Sequence, residues 1–190
     1  MSQPVPNPPL DAPQTRPQDN WHQKVSGTLI NSETLLATDY LNHFNEVVML
    51  VEMVPDMPDM LPDCQSWKLK SYPEHFAASG LDYGELAAEA YEHVSQATKL
   101  PFEMTVAQLA ATTKLTLERL DMAVAMQDTE QARAIAKAGT SAMHALIERA
   151  GGIINGAKES LDHADIDRML EAAPAPTGGG AQADIDKLFG

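Results

Sequence analysis

Residues 101–152 read PFEMTVAQLAATTKLTLERLDMAVAMQDTEQARAIAKAGTSAMHALIERAGG, and this stretch decides the fold class. Val106, Leu109, Thr113, Leu117, Leu120 and Val124 recur in steps of three and four, the spacing that aligns side chains on one face of an α-helix. The stripe is narrow, as a bundle seam requires, and it predicts a helix over 102–127. Asp128 with Gln131 three positions on is a capping-box pattern. Ile135, Ala138, Ala142, Leu146 and Ile147 then carry a second stripe to the Gly151-Gly152 pair, predicting a helix over 129–150. So short a connection forces the two helices into an antiparallel hairpin.

Outward from the hairpin, Asp82 with Glu85 marks a further helix start, and Lys99-Leu100-Pro101 marks its end, which predicts a helix over 82–99. Residues 55–78, PDMPDMLPDCQSWKLKSYPEHFAA, hold too many prolines for one long helix. Trp67, Tyr72, Phe76 and the methionines still need cover, so the segment is expected to pack as a loop across the helices. Leu41, Phe44, Val48 and Val51 recur at helical spacing before Pro55, with Asn31 or Ser32 as a cap, predicting a helix over 31–54.

Composition agrees with this reading. The chain is 190 residues long, 44% hydrophobic but only 5% aromatic, which favours an all-α protein: a helical hairpin or four-helix bundle, or a homodimer of hairpins. Residues 1–28 contain six of the thirteen prolines and few aliphatic side chains, so a disordered arm is expected, with residues 1–25 unpacked. The helical bundle domain spans 29–160. EAAPAPTGGGA at 171–181 has linker composition, and the segments on its two sides, 161–171 and 182–190, are read as separate motifs joined by a linker over 172–181.

A formal net charge of −14 repels a phosphate backbone, so nucleic acid is not an expected partner and a basic protein surface is. Cys64 is the only cysteine, which excludes an internal disulfide and any multi-cysteine metal site. The longest uninterrupted aliphatic run is Val47 to Val51, and no basic, apolar leader pattern is present. A cytoplasmic protein without membrane insertion is expected.

The functional signal is a repeat. ADIDRML at 164–170 recurs as ADIDKLF at 183–189: an acid, Ile, Asp, a basic residue, then two large apolar residues. Wound as a helix, Ile166, Met169 and Leu170 share a face, as do Ile185, Leu188 and Phe189. So short a helix is unstable alone and needs a surface to fold on. Its aspartates suit a helix start, and its apolar triplet suits docking in a groove. Burying three such side chains is worth roughly 5–8 kcal/mol gross, and ordering the segment removes several of these, so a micromolar or weaker contact is expected.

LDHADIDRML at 161–170 resembles the peptide by which flagellar motor switch proteins of the FliM family capture a phosphorylated response regulator, approximately L-S-Q-A-E-I-D-A-L-L. QADIDKLFG at 182–190 is similar to the same peptide. Its place after a flexible linker also resembles the regulator-binding tail of the CheZ family of chemotaxis phosphatases, whose body is a helical hairpin. The resemblance covers about twenty residues. It implies docking to a receiver domain through Asp165, Ile166, Asp167, Met169 and Leu170, and again through Asp184, Ile185, Asp186, Leu188 and Phe189. His163, Arg168 and Lys187 depart from the pattern.

Dephosphorylating a receiver needs little machinery: an amide that orients water in line with the aspartyl phosphate and an acid that anchors the partner's lysine. Phosphatases resembling this arrangement place the acid three or four residues before Asn or Gln on an exposed helix. Asp39 and Asn42 have that spacing on a face shared with His43 and Glu46, and Glu92 with Gln96 offers the alternative. No cofactor is expected, since any Mg2+ would be carried by the receiver. The rival readings are a structural scaffold and a carboxylate-histidine metal site built from His43 with Glu46, Glu89 with His93, or His144 with Glu148. No phosphate loop, nucleotide fingerprint or Ser-His-Asp pattern occurs.

Overall fold

The computed structural model describes residues 17–156, and the expectations for residues 1–16 and 157–190 lie outside it. The described chain is all-α: α1 (Pro17–Lys24), α2 (Asn42–Met53), α3 (Leu61–Ser66), α4 (Tyr72–Ser79), α5 (Gly84–Tyr91), α6 (Gln96–Ala125) and α7 (Thr129–Ile154), with 3-10 turns at Thr38–Leu41 and Pro58–Met60. The long antiparallel hairpin of α6 and α7 is its spine. The remaining elements are wrapped on that hairpin rather than extended into a regular four-helix bundle.

The hairpin seam is built from small polar residues. Thr105, Thr112, Thr113 and Thr116 are buried on α6. The hydroxyls of Thr105, Thr113 and Thr116 each donate to the carbonyl four residues back at 2.8 Å, so burial leaves them satisfied. Short side chains let the helices approach closely. At Gly139 of α7 a Cβ would lie 2.4 Å from Thr116 Cγ2, and Thr113 Oγ1 reaches Met143 Sδ at 3.2 Å. Asp128 caps α7 by accepting from the Gln131 N–H at 2.9 Å, as the sequence pattern predicts.

Three helix boundaries differ from expectation, each for a local reason. The helix predicted over 31–54 starts only at Asn42. Asn31 Oδ1 accepts from the Glu33 and Thr34 N–H groups at 2.9 and 3.0 Å, closing a side-chain turn instead of a helix, and Leu35 sits in the left-handed region at φ 60°. The Thr34 hydroxyl donates to the Ile154 carbonyl at 2.5 Å, so this turn covers the end of α7. The helix predicted over 82–99 breaks after Tyr91, whose ring stacks on Tyr72 at 4.8 Å and whose hydroxyl donates to Glu103 at 2.8 Å. Val94 is buried in the turn that follows. Finally, α6 begins at Gln96 and runs through Pro101; a proline this near a helix start forfeits one backbone bond, and buried Phe102 holds the turn in place.

The expectation that residues 1–25 do not pack is corrected at Trp21 and Val25. Trp21 and Val25, four apart, are buried in the core. Trp21 packs on the His93 ring at 4.5 Å, Lys24 lies over the indole at 4.2 Å, and the same Lys24 pairs with Glu89 at 3.3 Å. Proline content hid a helix whose stability comes from one aromatic anchor. Segment 55–78 does cross the helices, through α3 and α4 rather than as a plain loop. Among the described residues, every Trp, Tyr and Phe lies in or against this one core.

Candidate functional site

The start of α2 is where the sequence places its acid-amide pair. Asn42 is the first residue of α2 and is exposed, with Glu46 one turn further along the same exposed face. Asp39, in the preceding 3-10 turn, is half-buried. Its Oδ2 accepts from the Tyr83 hydroxyl at 2.6 Å. Burial, and then the Asp39 carboxylate, push the Tyr83 phenol up from its ordinary value, so Tyr83 stays a neutral donor. The carboxylate keeps further acceptor capacity, and the pair forms a ledge of one anchored acid beside one solvent-facing amide.

His43 does not belong to that ledge. The sequence reading puts it on the polar face, but its side chain is only 4% exposed. Its Nε2 accepts from the Lys70 N–H at 3.0 Å, its carbonyl accepts from the Trp67 indole N–H at 3.0 Å, and the two rings stack at 4.7 Å. The acceptor role at Nε2 assigns the proton to Nδ1. Burial, then His75 and Lys70, hold the imidazole below its ordinary value, keeping it neutral at pH 7. With the Tyr40 hydroxyl donating to the Lys70 carbonyl at 2.8 Å, segment 67–70 is pinned against the start of α2.

The other candidates are not brought together. Glu92 lies in the turn after α5 while Gln96 opens α6, so their spacing is not that of one helix face and the alternative acid-amide pair is not assembled. Glu89 is engaged by Lys24, and His93 by Trp21. His144 lies 3.9 Å from Glu52 on the exposed side of α7. None of these pairs points two ligands into the bundle, and among the described residues no three His, Cys, Asp or Glu side chains form a group able to hold a metal ion. The docking residues Asp165, Ile166, Asp167, Met169, Leu170, Asp184, Ile185, Asp186, Leu188 and Phe189 lie outside the described residues.

Sequence reasoning missed Tyr83 and the Trp67-His43 pair. Tyr83 is 44 positions from Asp39, and nothing local marks either partner. No family model, curated protein or solved structure matches the chain. Among the described residues no helix is long and apolar enough to cross a membrane.

Proposed function

We propose that the protein is a signalling adaptor of the chemotaxis or flagellar type, working in the cytoplasm, that binds a phosphorylatable response-regulator receiver domain through its tandem motifs at 161–171 and 182–190. The observation that carries this reading is the recurrence of ADIDRML as ADIDKLF on either side of a glycine linker. Each copy offers two aspartates to a helix start and an apolar triplet to a groove. Any Mg2+ in the complex belongs to the receiver.

The test is a titration of labelled 182–190 peptide, and of the full chain with and without residues 182–190, against phosphorylated and unphosphorylated receiver domain. Deletion, or Ile185→Ala with Phe189→Ala, weakens binding without changing the helical signal of the body, because the linker uncouples the two. Adding Ile166→Ala and Leu170→Ala removes the residual affinity. Absence of saturable binding up to the millimolar range in both receiver states refutes the reading.

A second reading, that the protein also accelerates receiver dephosphorylation, draws on the Asp39-Asn42 ledge. There an exposed amide sits three residues after a carboxylate fixed by Tyr83. In it Asn42 orients the attacking water and Asp39 meets the receiver's lysine. Asn42→Ala then abolishes the acceleration while leaving receiver affinity nearly intact. A wild-type chain that leaves the phosphate lifetime unchanged reduces the protein to an adaptor.

A further inference from the structure

A groove of about 300 Å3 runs along α6 where it faces segment 65–67. That is the low end of small-ligand pockets, roughly 300–1,000 Å3, with room for a few aliphatic side chains rather than a domain. Half-buried Trp67, Ala110 and Leu117 give it apolar walls, and exposed Lys114, Glu118 and Asp121 line its edge in that order along α6. The groove is preformed, because the Trp67 ring is held by its stack on His43 and its N–H bond to the His43 carbonyl.

We propose that this groove is occupied by the chain's own first tail motif, residues 161–170, so that the receiver domain must compete with the body for it. The proposal rests on the reading of that motif as a receiver-docking segment. Three observations select this occupant.

The first is reach. Antiparallel contacts of Thr113 with Met143 and of Gly139 with Thr116 set the hairpin register, which places Ile154 opposite about Phe102. At 1.5 Å per residue, Ala110 is then about 12 Å and Leu117 about 22 Å along α6. The ten residues from Gly156 to Ile166 span about 17 Å as a flexible chain and at most about 35 Å extended.

The second is charge order. A tail entering from the Phe102 end lies parallel to α6. Lys114 pairs with Glu118 at 3.8 Å and Gln65 donates to Asp121 at 3.1 Å; the parallel direction exchanges these exposed contacts for Asp165 beside Lys114 and, one turn on, Arg168 beside Glu118 and Asp121, whereas the opposite direction sets Asp165 beside Glu118. Each pairing is modest at an exposed edge, but together they fix direction and register.

The third is the match of apolar side chains. Ile166, Met169 and Leu170 form one face of the motif as a helix, the right number for a groove this small. Because the tether supplies an effective concentration of the order of millimolar, even a contact too weak to form between separate molecules closes a sizeable fraction of the chains.

The experiment uses the full chain with Glu171→Cys carrying a nitroxide label; native Cys64 is buried, so the label attaches at 171. In dilute 15N-labelled protein, amide signals from Ala110 to Asp121 and the Trp67 indole signal broaden. Lys114→Glu, an exposed substitution that leaves the core intact, reduces the broadening, and adding Asp165→Lys restores it. Receiver domain added to the wild type reverses the broadening. With Ile185→Ala and Phe189→Ala in both chains, so that only the first motif docks, Lys114→Glu binds receiver roughly two- to tenfold more tightly than its Lys114 counterpart, as expected if a half to nine-tenths of the motif is masked.

The proposal is overturned if the label leaves the groove signals unchanged, if it broadens a different surface, or if broadening appears only when label and 15N sit on different copies. The two readings separate cleanly. Broadening of the groove in a chain that no receiver binds keeps the contact and removes the receiver reading. Receiver binding without groove broadening does the reverse.

Discussion

Gly139→Ala tests the hairpin seam, because two effects of known size oppose each other there. In an open helix the change would stabilise the protein by about 1 kcal/mol, since glycine is the poorer helix former. At this position the new Cβ would stand 2.4 Å from Thr116 Cγ2, 2.5 Å from its Oγ1 and 3.0 Å from its Cβ. Carbon-carbon contact wants roughly 3.5–4.0 Å. Thr116 is β-branched and its hydroxyl is bound to the Thr112 carbonyl, so no rotamer change relieves all three clashes. The helices must separate by about 1 Å, and every contact along the seam, from Leu109 to Leu120 and from Ala136 to Leu146, weakens. Overpacking of this kind costs about 1–3 kcal/mol, which outweighs the propensity gain. The expected outcome is a net loss of about 1–2 kcal/mol in urea denaturation, with a melting temperature lower by roughly 2–4 °C per kcal/mol. Gly151→Ala is the internal control. It lies in the same helix, but its Cβ would meet only Leu41 Cδ1 at an ordinary 3.6 Å, so it should stabilise by about 0.5–1 kcal/mol. In a double-mutant cycle, Thr116→Ala should recover about 1 kcal/mol of the Gly139→Ala loss. Equal stabilisation by both glycine substitutions would refute the close seam.

Trp21→Ala should cost about 3–4 kcal/mol, measured by the same denaturation, because Trp21 is the buried anchor of α1; a change under about 0.5 kcal/mol would mean that α1 does not pack. Stability should also fall on mild acidification. Burial, with His75 and Lys70 beside it, holds the His43 pKa below its unfolded value, and His75 is lowered likewise by burial and Lys70. The native state therefore binds fewer protons than the unfolded chain, so the contribution is complete above about pH 6.5 and declines as pH falls below it. Denaturation curves at pH 7.5 and 5.5 check this, and His43→Leu should flatten the difference.

The hairpin was legible because its cause is local. Stripes at helical spacing, an Asp at a cap and a three-residue turn are all written within fifty consecutive positions, and the α7 cap forms with the predicted partner. The elements read wrongly are those whose cause is distant. Asn31 has the chemistry of a helix cap, but whether it caps a helix or closes a turn depends on Thr34 reaching Ile154, 120 positions away. A Pro-rich stretch looks unable to fold, yet α1 is held by Trp21 against His93. His43 carries the same side chain whether it faces solvent or a backbone N–H, and the N–H that decides belongs to Lys70. The acid-amide spacing at Asp39 and Asn42 was readable; the Tyr83 hydroxyl that orients the acid was not.

The body and the tail divide the chemistry between them. The body spends its aromatic residues on a single core and leaves at the start of α2 a small polar ledge, too sparse by itself to recognise a partner. The tail has the opposite composition: acidic and aliphatic, with one aromatic at Phe189, and with its two motifs separated by a stretch of linker composition. The proposed adaptor role would benefit from that division, since the affinity of a short helix for a groove can be tuned in the tail while the fold is maintained elsewhere. It also sets a limit on how the tail can bind. The eleven residues of 171–181 give a root-mean-square reach of about 18 Å, so one receiver can pass between motifs, whereas avidity requires a partner with two docking surfaces. A monomeric receiver should therefore bind the double-motif chain no more than about twofold more tightly than the better single motif, the statistical factor alone. A larger gain with a monomeric receiver, measured by titrating each single-motif variant beside the wild type, would contradict a single docking surface on the partner.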